Sequence, residues 1–358
     1  MCSGGRRAQW LKRISDDLLP CDHVHVIFTV PEPLNSLWRF NRSSFAKLLM
    51  RAARESLQQL LTDQKYLGAT PGILSVLHTW GRNLSIHPHV HCLVTAGGVD
   101  QSGRFIKQQR STLLPARVLM AVFRGRLRLL LQSAVENKTL VIPPNLTVAR
   151  TQSLLNRLGR IEWNVRIQER YRHGVSVAGY LARYIAGGPM SDRRLRTVTE
   201  SEIAFRYRDH RDGREKVMRL QPHVFLARWL EHVPPRGLRM IRRSGLYANC
   251  HAAQRRAIRD EANSNGQSRT QPHIRLDPER CPKCNQLIVT TELSRPTHKQ
   301  HRQKRHKNAT KIHRRLVNPH SCESITACST IPLHPLADHA QFPIQATRRK
   351  RVNSIVSQ

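Results

Sequence analysis

The segment His87-Pro88-His89-Val90-His91-Cys92-Leu93-Val94 sets three imidazoles two residues apart. Alternate side chains of an extended strand share a face, so His87, His89 and His91 are expected on one side and Val90, Cys92 and Val94 on the other. Imidazole nitrogens bind borderline divalent ions well. An ion that keeps open positions polarises a phosphate oxygen and offsets the charge that develops in phosphoryl transfer. His78 stands eleven residues before His89 on the preceding strand-like run, and it reaches the same place if the two strands pair. The expected ligand set is His78, His89 and His91. His23-Val24-His25 has the same spacing, but in a basic chain with 19 histidines a lone His-x-His is more often a solvated strand face. It is not counted as a ligand pair.

Tyr180 and Tyr184 stand four apart within Ser176 to Ile185, so on a helix both phenols leave the same face one turn apart. A phenol with its ordinary pKa of about 10 is a weak nucleophile. Beside cationic groups and a metal-bound phosphate, its phenolate can displace a 3′ oxygen from phosphorus and conserve the bond energy as a phosphotyrosine. Two such groups would let one site hold two strand ends, which strand exchange requires and simple nicking does not. A Tyr-x-x-x-Tyr pair alone is more often core packing. Its weight here comes from its company, two of only six tyrosines lying downstream of the histidine strand. Arg183 between them, with Arg193 and Arg194 beyond, are the expected DNA contacts.

The elements that must position these residues are legible in outline. Asp22 to Val30 alternates Val24, Val26 and Phe28 before Pro31 and Pro33 and predicts a strand. Ser44 to Thr62 keeps apolar residues at helical spacing. Gly72 to Trp80 and Pro88 to Thr95 predict two strands separated by a polar turn, consistent with antiparallel neighbours. Arg117 to Val135 predicts a helix after Pro115, and Arg160 to Gln168 a strand centred on Trp163. Ser176 to Ile185 predicts a helix stopped by Gly187, Gly188 and Pro189. Glu202 to Arg208 and Glu215 to Leu220 predict a hairpin about Asp212-Gly213. The core is expected to end near Asn249.

Lys and Arg number 60 against 24 Asp and Glu, a formal +36 spread over body and tail, which points to a polyanion because counterion release rewards dispersed basic charge. Composition alone does not choose between DNA and RNA. No run approaches the ~20 apolar residues of a membrane span, and the first residues lack the apolar core of a secretory signal, so a cytoplasmic protein is expected. Eight scattered cysteines in that compartment predict thiols or metal ligands rather than disulfides. Cys281 and Cys284 form a CxxC whose tetrahedral zinc site His301 and His306 would complete. The other reading is a thiol pair in a poorly ordered tail.

From about Trp10 to Asn249 the chain resembles the two-tyrosine HUH transposases of rolling-circle insertion sequences, the insertion sequence ninety-one type. The likeness is carried by HVIFTVPEPLN (25–35), LHTWGRNLSIHPHVHCLV (77–94), VAGYLARYIAGGPMSDRRL (177–195), IAFRYRD (203–209) and HVPPRGLRMIRRSGLYAN (232–249). The resemblance implies an α+β fold, an HUH endonuclease-like antiparallel sheet with flanking helices; beyond it, mixed His, Arg, Asn, Ser and Pro without periodicity predicts a basic, poorly ordered C-terminal tail. It matches His89 and His91 to the metal-binding pair and Tyr180 and Tyr184 to the nucleophiles, with Mg or Mn as the metal. It further implies that residues 1–21 are a truncated remnant of a zinc-binding segment and 22–249 the catalytic domain, which leaves 250–358 as the basic tail, with the CxxC reading placing a candidate zinc knuckle near 281–306. The expected activity is nicking of single-stranded or hairpin element ends and strand transfer to target DNA. The alternatives are an inactive remnant that only binds DNA, and a relaxase or replication initiator with the same chemistry. No protein partner follows from the sequence.

Overall fold

The computed structural model describes residues 3–172, 174, 177–179, 181, 188–209 and 212–265. All of them lie in the first of two units, Met1–Thr290 and Thr291–Gln358. The fold is α+β. Its main sheet holds β1 (His23–Thr29), β2 (Thr70–Trp80), β3 (Ile86–Val99), β4 (Phe105–Lys107), β5 (Val165–Tyr171) and β9 (Ile241–Gly245). The order is β5-β1-β3-β2-β9, with β4 on the far end of β3, and every pairing is antiparallel.

Pleat alternation divides the sheet residues between two cores. Val24, Val26 and Phe28 of β1, Ile73 and Leu77 of β2, and Val90, Cys92 and Val94 of β3 form one face. Three helices cover it: α3 (Arg42–Thr62), after the short α2 (Asn35–Phe40), then α4 (Ala116–Glu136) and α5 (Val148–Leu158). Phe28 meets Phe123 of α4 with ring centres 4.8 Å apart, and Glu55 of α3 pairs with Arg126 of α4 at 3.0 Å. Trp163, expected at the centre of a strand, lies just before β5. Its indole is buried against Phe123 and donates to the Leu158 carbonyl, so helix packing rather than strand pairing fixes it.

Leu74, Val76 and Leu93 face the other way, into a second core with Ile14 of α1 (Ser3–Asp17), Leu18, Leu19, Tyr247 and Ile258 of α7 (Ala252–Ser264). Val177, Ala178 and Leu181 are buried in this same core. Burial on both faces explains why β2 reads as a nearly continuous apolar run rather than an alternating one.

Neither α1 nor α7 was expected, and the packed fold continues past Asn249 through α7. The two are tied by charge. Arg255 of α7, only 3% exposed, donates to Asp17 at 2.9 Å and to the carbonyls of Leu246 and Ala248, while Arg243 of β9 meets the same carboxylate at 2.6 Å. Tyr247 is locked beneath them. His23 Nδ1–H donates to the Cys21 carbonyl, which leaves its Nε2 to accept from the Tyr247 hydroxyl at 2.5 Å.

A smaller meander of β6 (Leu195–Val198), β7 (Ile203–Arg208) and β8 (Glu215–Leu220) packs with α6 (Pro222–Leu230) around Phe205 and Phe225. The hairpin expected about Asp212-Gly213 is present, with Gly213 at φ +69° in the left-handed region that glycine adopts at least cost. Among the described residues no helix is long and apolar enough to cross a membrane.

Candidate metal centre

The β2–β3 hairpin builds the histidine cluster. Its polar turn closes with Gly81 N–H donating to the Ser85 carbonyl, and the resulting register sets His78 directly opposite His89 and Val76 opposite His91. Directly opposed residues of an antiparallel pair share a face, so His78, His89 and His91 project together. Their rings are close: His78 to His91 4.1 Å, His89 to His91 4.9 Å and His78 to His89 5.2 Å between centres. One nitrogen from each lies within 4.8 Å of the others. His78 and His91 are buried, and His89 is partly open. His87 shares their strand face but is exposed, and its side chain stands outside this trio.

Hydrogen bonds from outside the trio decide which nitrogen each ring offers. The Nδ1–H of His89 donates to the His87 carbonyl at 2.6 Å, leaving Nε2 with its lone pair. Nδ1 of His91 bonds Nε2 of His25 at 2.8 Å, with the rings stacked at 5.0 Å, leaving Nε2 of His91 as its donor atom. Such outer bonds orient ligating imidazoles and raise their basicity. Sequence reasoning left His25 out. Its place follows from β1 pairing with β3, which sets Ile27 opposite His91 and so puts His25 on the same face.

Burial, followed by repulsion from neighbouring imidazoles, holds His78 and His91 well below the ordinary histidine range. Burial alone lowers His25 to about 4, and burial with the charge of His87 lowers His89 to about 4. At neutral pH the cluster is therefore a set of neutral rings with lone pairs available, the protonation state a cation requires. The donor set fits a divalent ion. Without a carboxylate among the three, it suits a borderline ion better than Mg, whose hard shell prefers oxygen.

Trp80, two residues beyond His78, stacks on that imidazole at 5.5 Å and 11° and closes one side of the cluster. Of the expected DNA contacts, Arg193 is exposed. Arg194 is partly buried, donating to the carbonyls of Arg206 and Arg82 and lying 5.6 Å over the Phe205 ring. Tyr180, Tyr184 and Arg183 lie outside the described residues, as do Cys281, Cys284, His301 and His306. Of the residues near Tyr180 in the sequence, Val177, Ala178 and Leu181 are described, and they pack with Val76 and Leu93, which stand on the histidine face of the sheet.

A protein-family model described as "Putative transposase", of the two-tyrosine type, matches residues 72–255, just over half of the chain and including the whole histidine hairpin. The chain is 34% identical over 262 residues to the "Putative transposase y4qJ" of Sinorhizobium fredii (strain NBRC 101917 / NGR234), a match that covers 72% of this chain and 66% of that relative. It is 32% identical over 254 residues to the "Transposase for insertion sequence element IS801" of Pseudomonas savastanoi pv. phaseolicola, covering 69% of this chain and 60% of that one. The chain thus spans less than two thirds of the length of these relatives. No solved structure matches it. On the family match, the chain belongs to the two-tyrosine transposase family.

Proposed function

We propose that this chain nicks single-stranded ends of its own element and transfers them by tyrosine chemistry. The phenolate oxygen of Tyr180 or Tyr184 attacks the scissile phosphorus, the bond from phosphorus to the 3′ oxygen breaks, and that oxygen leaves as a 3′ hydroxyl after taking a proton. The 5′ end stays on the tyrosine. In the second half, a 3′ hydroxyl of the target strand attacks the same phosphorus and releases the phenolate, so one phosphodiester replaces another and no nucleotide cofactor is consumed. Expected substrates are single-stranded or hairpin element ends and a DNA target, in a rolling-circle scheme. The sheet and its flanking helices then serve as an HUH-type nuclease scaffold.

The observation that supports this reading is the convergence of His78, His89 and His91 on the sheet face where Val177, Ala178 and Leu181, neighbours of Tyr180 in the sequence, also pack. These three histidines would hold the ion, with His25 orienting His91. A bound divalent ion there supplies Lewis-acid stabilisation of the scissile phosphate. Of the two ions expected from sequence, Mn fits three imidazoles better than Mg. The protein contributes neutral, fixed rings that add no negative charge beside the phosphate, and the basic surface draws in the DNA strand.

The test uses purified protein and labelled single-stranded DNA from the flanks of its gene. Cleavage is expected with Mn, lost on chelation and lost in His89→Ala, with salt-sensitive binding retained in both cases. Binding without cleavage under every metal tried would leave only a DNA-binding remnant.

A further inference from the structure

The histidine cluster continues into a second feature with no role in the chemistry above. Beyond His78, Trp80 and His232 meet with ring centres 5.9 Å and planes 61° apart, and both line a cavity of about 150 Å³. Trp229 of α6, Pro189, Val233 and Met240 complete its walls. A cavity of this order accepts a benzene-sized ring. Its polar wall is already satisfied: His232 Nε2–H donates to the Leu84 carbonyl at 3.1 Å, so its Nδ1 accepts from the Thr79 hydroxyl at 3.3 Å. His232 therefore presents a ring face and not a metal-binding nitrogen. Gly188 is part of the design. A Cβ there would come within 2.9 Å of the Trp229 indole, so a side chain at this wall would have to displace that ring. Val233, one of its wall residues, is 47% exposed, so the cavity reaches the surface there.

We propose that this cavity holds one unstacked nucleobase of the DNA strand whose backbone lies at the histidine cluster. Three observations converge on that occupant. Two indoles and an imidazole line it, and aromatic side chains are how single-stranded bases are gripped without sequence-reading hydrogen bonds. The volume suits one aromatic ring. Trp80 is shared, stacking on His78 on one side and lining the cavity on the other, so a base seated here belongs to a nucleotide close to the scissile phosphate. Extruding the base fixes the register of the strand at the cluster.

The inference rests on the reading of the chain as a nuclease of single-stranded DNA, and its test separates the two. Labelled single-stranded oligonucleotides from the DNA flanking the gene, each with one abasic site at a successive position, are titrated with the full chain in chelator, so that binding is read without cleavage. One position should lose affinity between about five-fold and about a hundred-fold when its base is removed, the range of a base stacked on aromatic side chains. That penalty should vanish in Trp229→Ala, vanish in Gly188→Leu, which puts a bulky side chain on the cavity wall against the indole, and return in Trp229→Phe. A penalty unchanged in Trp229→Ala and Gly188→Leu, or the same small loss at every position, overturns the pocket while leaving the nuclease intact. An abasic penalty that follows the variants in a protein forming no covalent adduct keeps the pocket and removes the tyrosine chemistry instead.

Discussion

Replacing His25 by alanine isolates the claim that the histidine cluster is built to hold an ion. His25 touches no phosphate in this account. It bonds His91 Nδ1 at 2.8 Å from a buried position and so sets which nitrogen His91 offers. Loss of an outer-shell partner of a ligating histidine costs about 10- to 100-fold in metal affinity. Taking about 30-fold, a metal concentration of 100 times the wild-type Kd stabilises wild type by about 2.7 kcal/mol and His25→Ala by about 0.9 kcal/mol. For a domain of this size the difference removes about 4 to 8 °C of the metal-induced rise in Tm. Scanning calorimetry with and without Mn or Zn measures that rise against each protein's own metal-free Tm, which cancels whatever the lost packing does to the apo fold. His25→Gln, whose amide can still bond His91, should recover most of it. An unchanged metal-induced rise in His25→Ala, with the rise abolished in His91→Ala, would refute the orienting role. No rise in wild type with any divalent ion would refute the site.

Other consequences are open to direct measurement. Asp17→Ala removes the carboxylate that Arg255 and Arg243 share and leaves the Arg255 guanidinium buried beside two carbonyls, so unfolding by urea should cost about 3 kcal/mol less, with Asp17→Asn milder. A change under about 1 kcal/mol would mean that the Leu246 and Ala248 carbonyls alone hold Arg255. The cluster also makes the metal-free fold acid-sensitive. His25 has its pKa lowered from 6.5 to about 4 in the folded chain, so the unfolded state takes the proton first. Its contribution is fully present above about 6.5 and is lost as pH falls from there toward 4, on the order of 3 kcal/mol. The denaturant midpoint of metal-free wild type should fall relative to that of His25→Phe over that window. Parallel curves from pH 7 to 4 would contradict the assignment.

What could be read from sequence was what depends on local period. Alternation along β3 places His89 and His91 together, and one tight turn carries His78 to them, so the trio was accessible without knowing the rest of the sheet. His25 was not, because its contact with His91 spans 66 residues and depends on β1 pairing with β3 rather than with β2. The long helices α3 and α4 announce themselves through apolar residues at helical spacing. By contrast α1 and α7 are mostly polar, and α7 is fixed largely by Ile258 and by an ion pair between Arg255 and a residue 238 positions away. Strand β9, reading Ile-Arg-Arg-Ser-Gly, has almost no apolar pattern and exists as a strand because the edge of β2 is there to pair with it. Trp163 misled for the same kind of reason. A bulky aromatic has high strand propensity, yet the space between Phe123 and the end of α5 was the better burial site.

The central claim is that Tyr180 or Tyr184 becomes covalently joined to a 5′ DNA end. The most direct measurement incubates the full chain with Mn and single-stranded DNA from the flanks of its gene, labelled on the 3′ side of the scissile position, and looks for a denaturation-resistant protein–DNA adduct in wild type, Tyr180→Phe, Tyr184→Phe and the double variant. The account predicts an adduct that disappears in the double variant and on chelation, and that maps to one of these two residues by peptide mass. An adduct that survives in the double variant, or cleavage that leaves both ends free of protein, would contradict it.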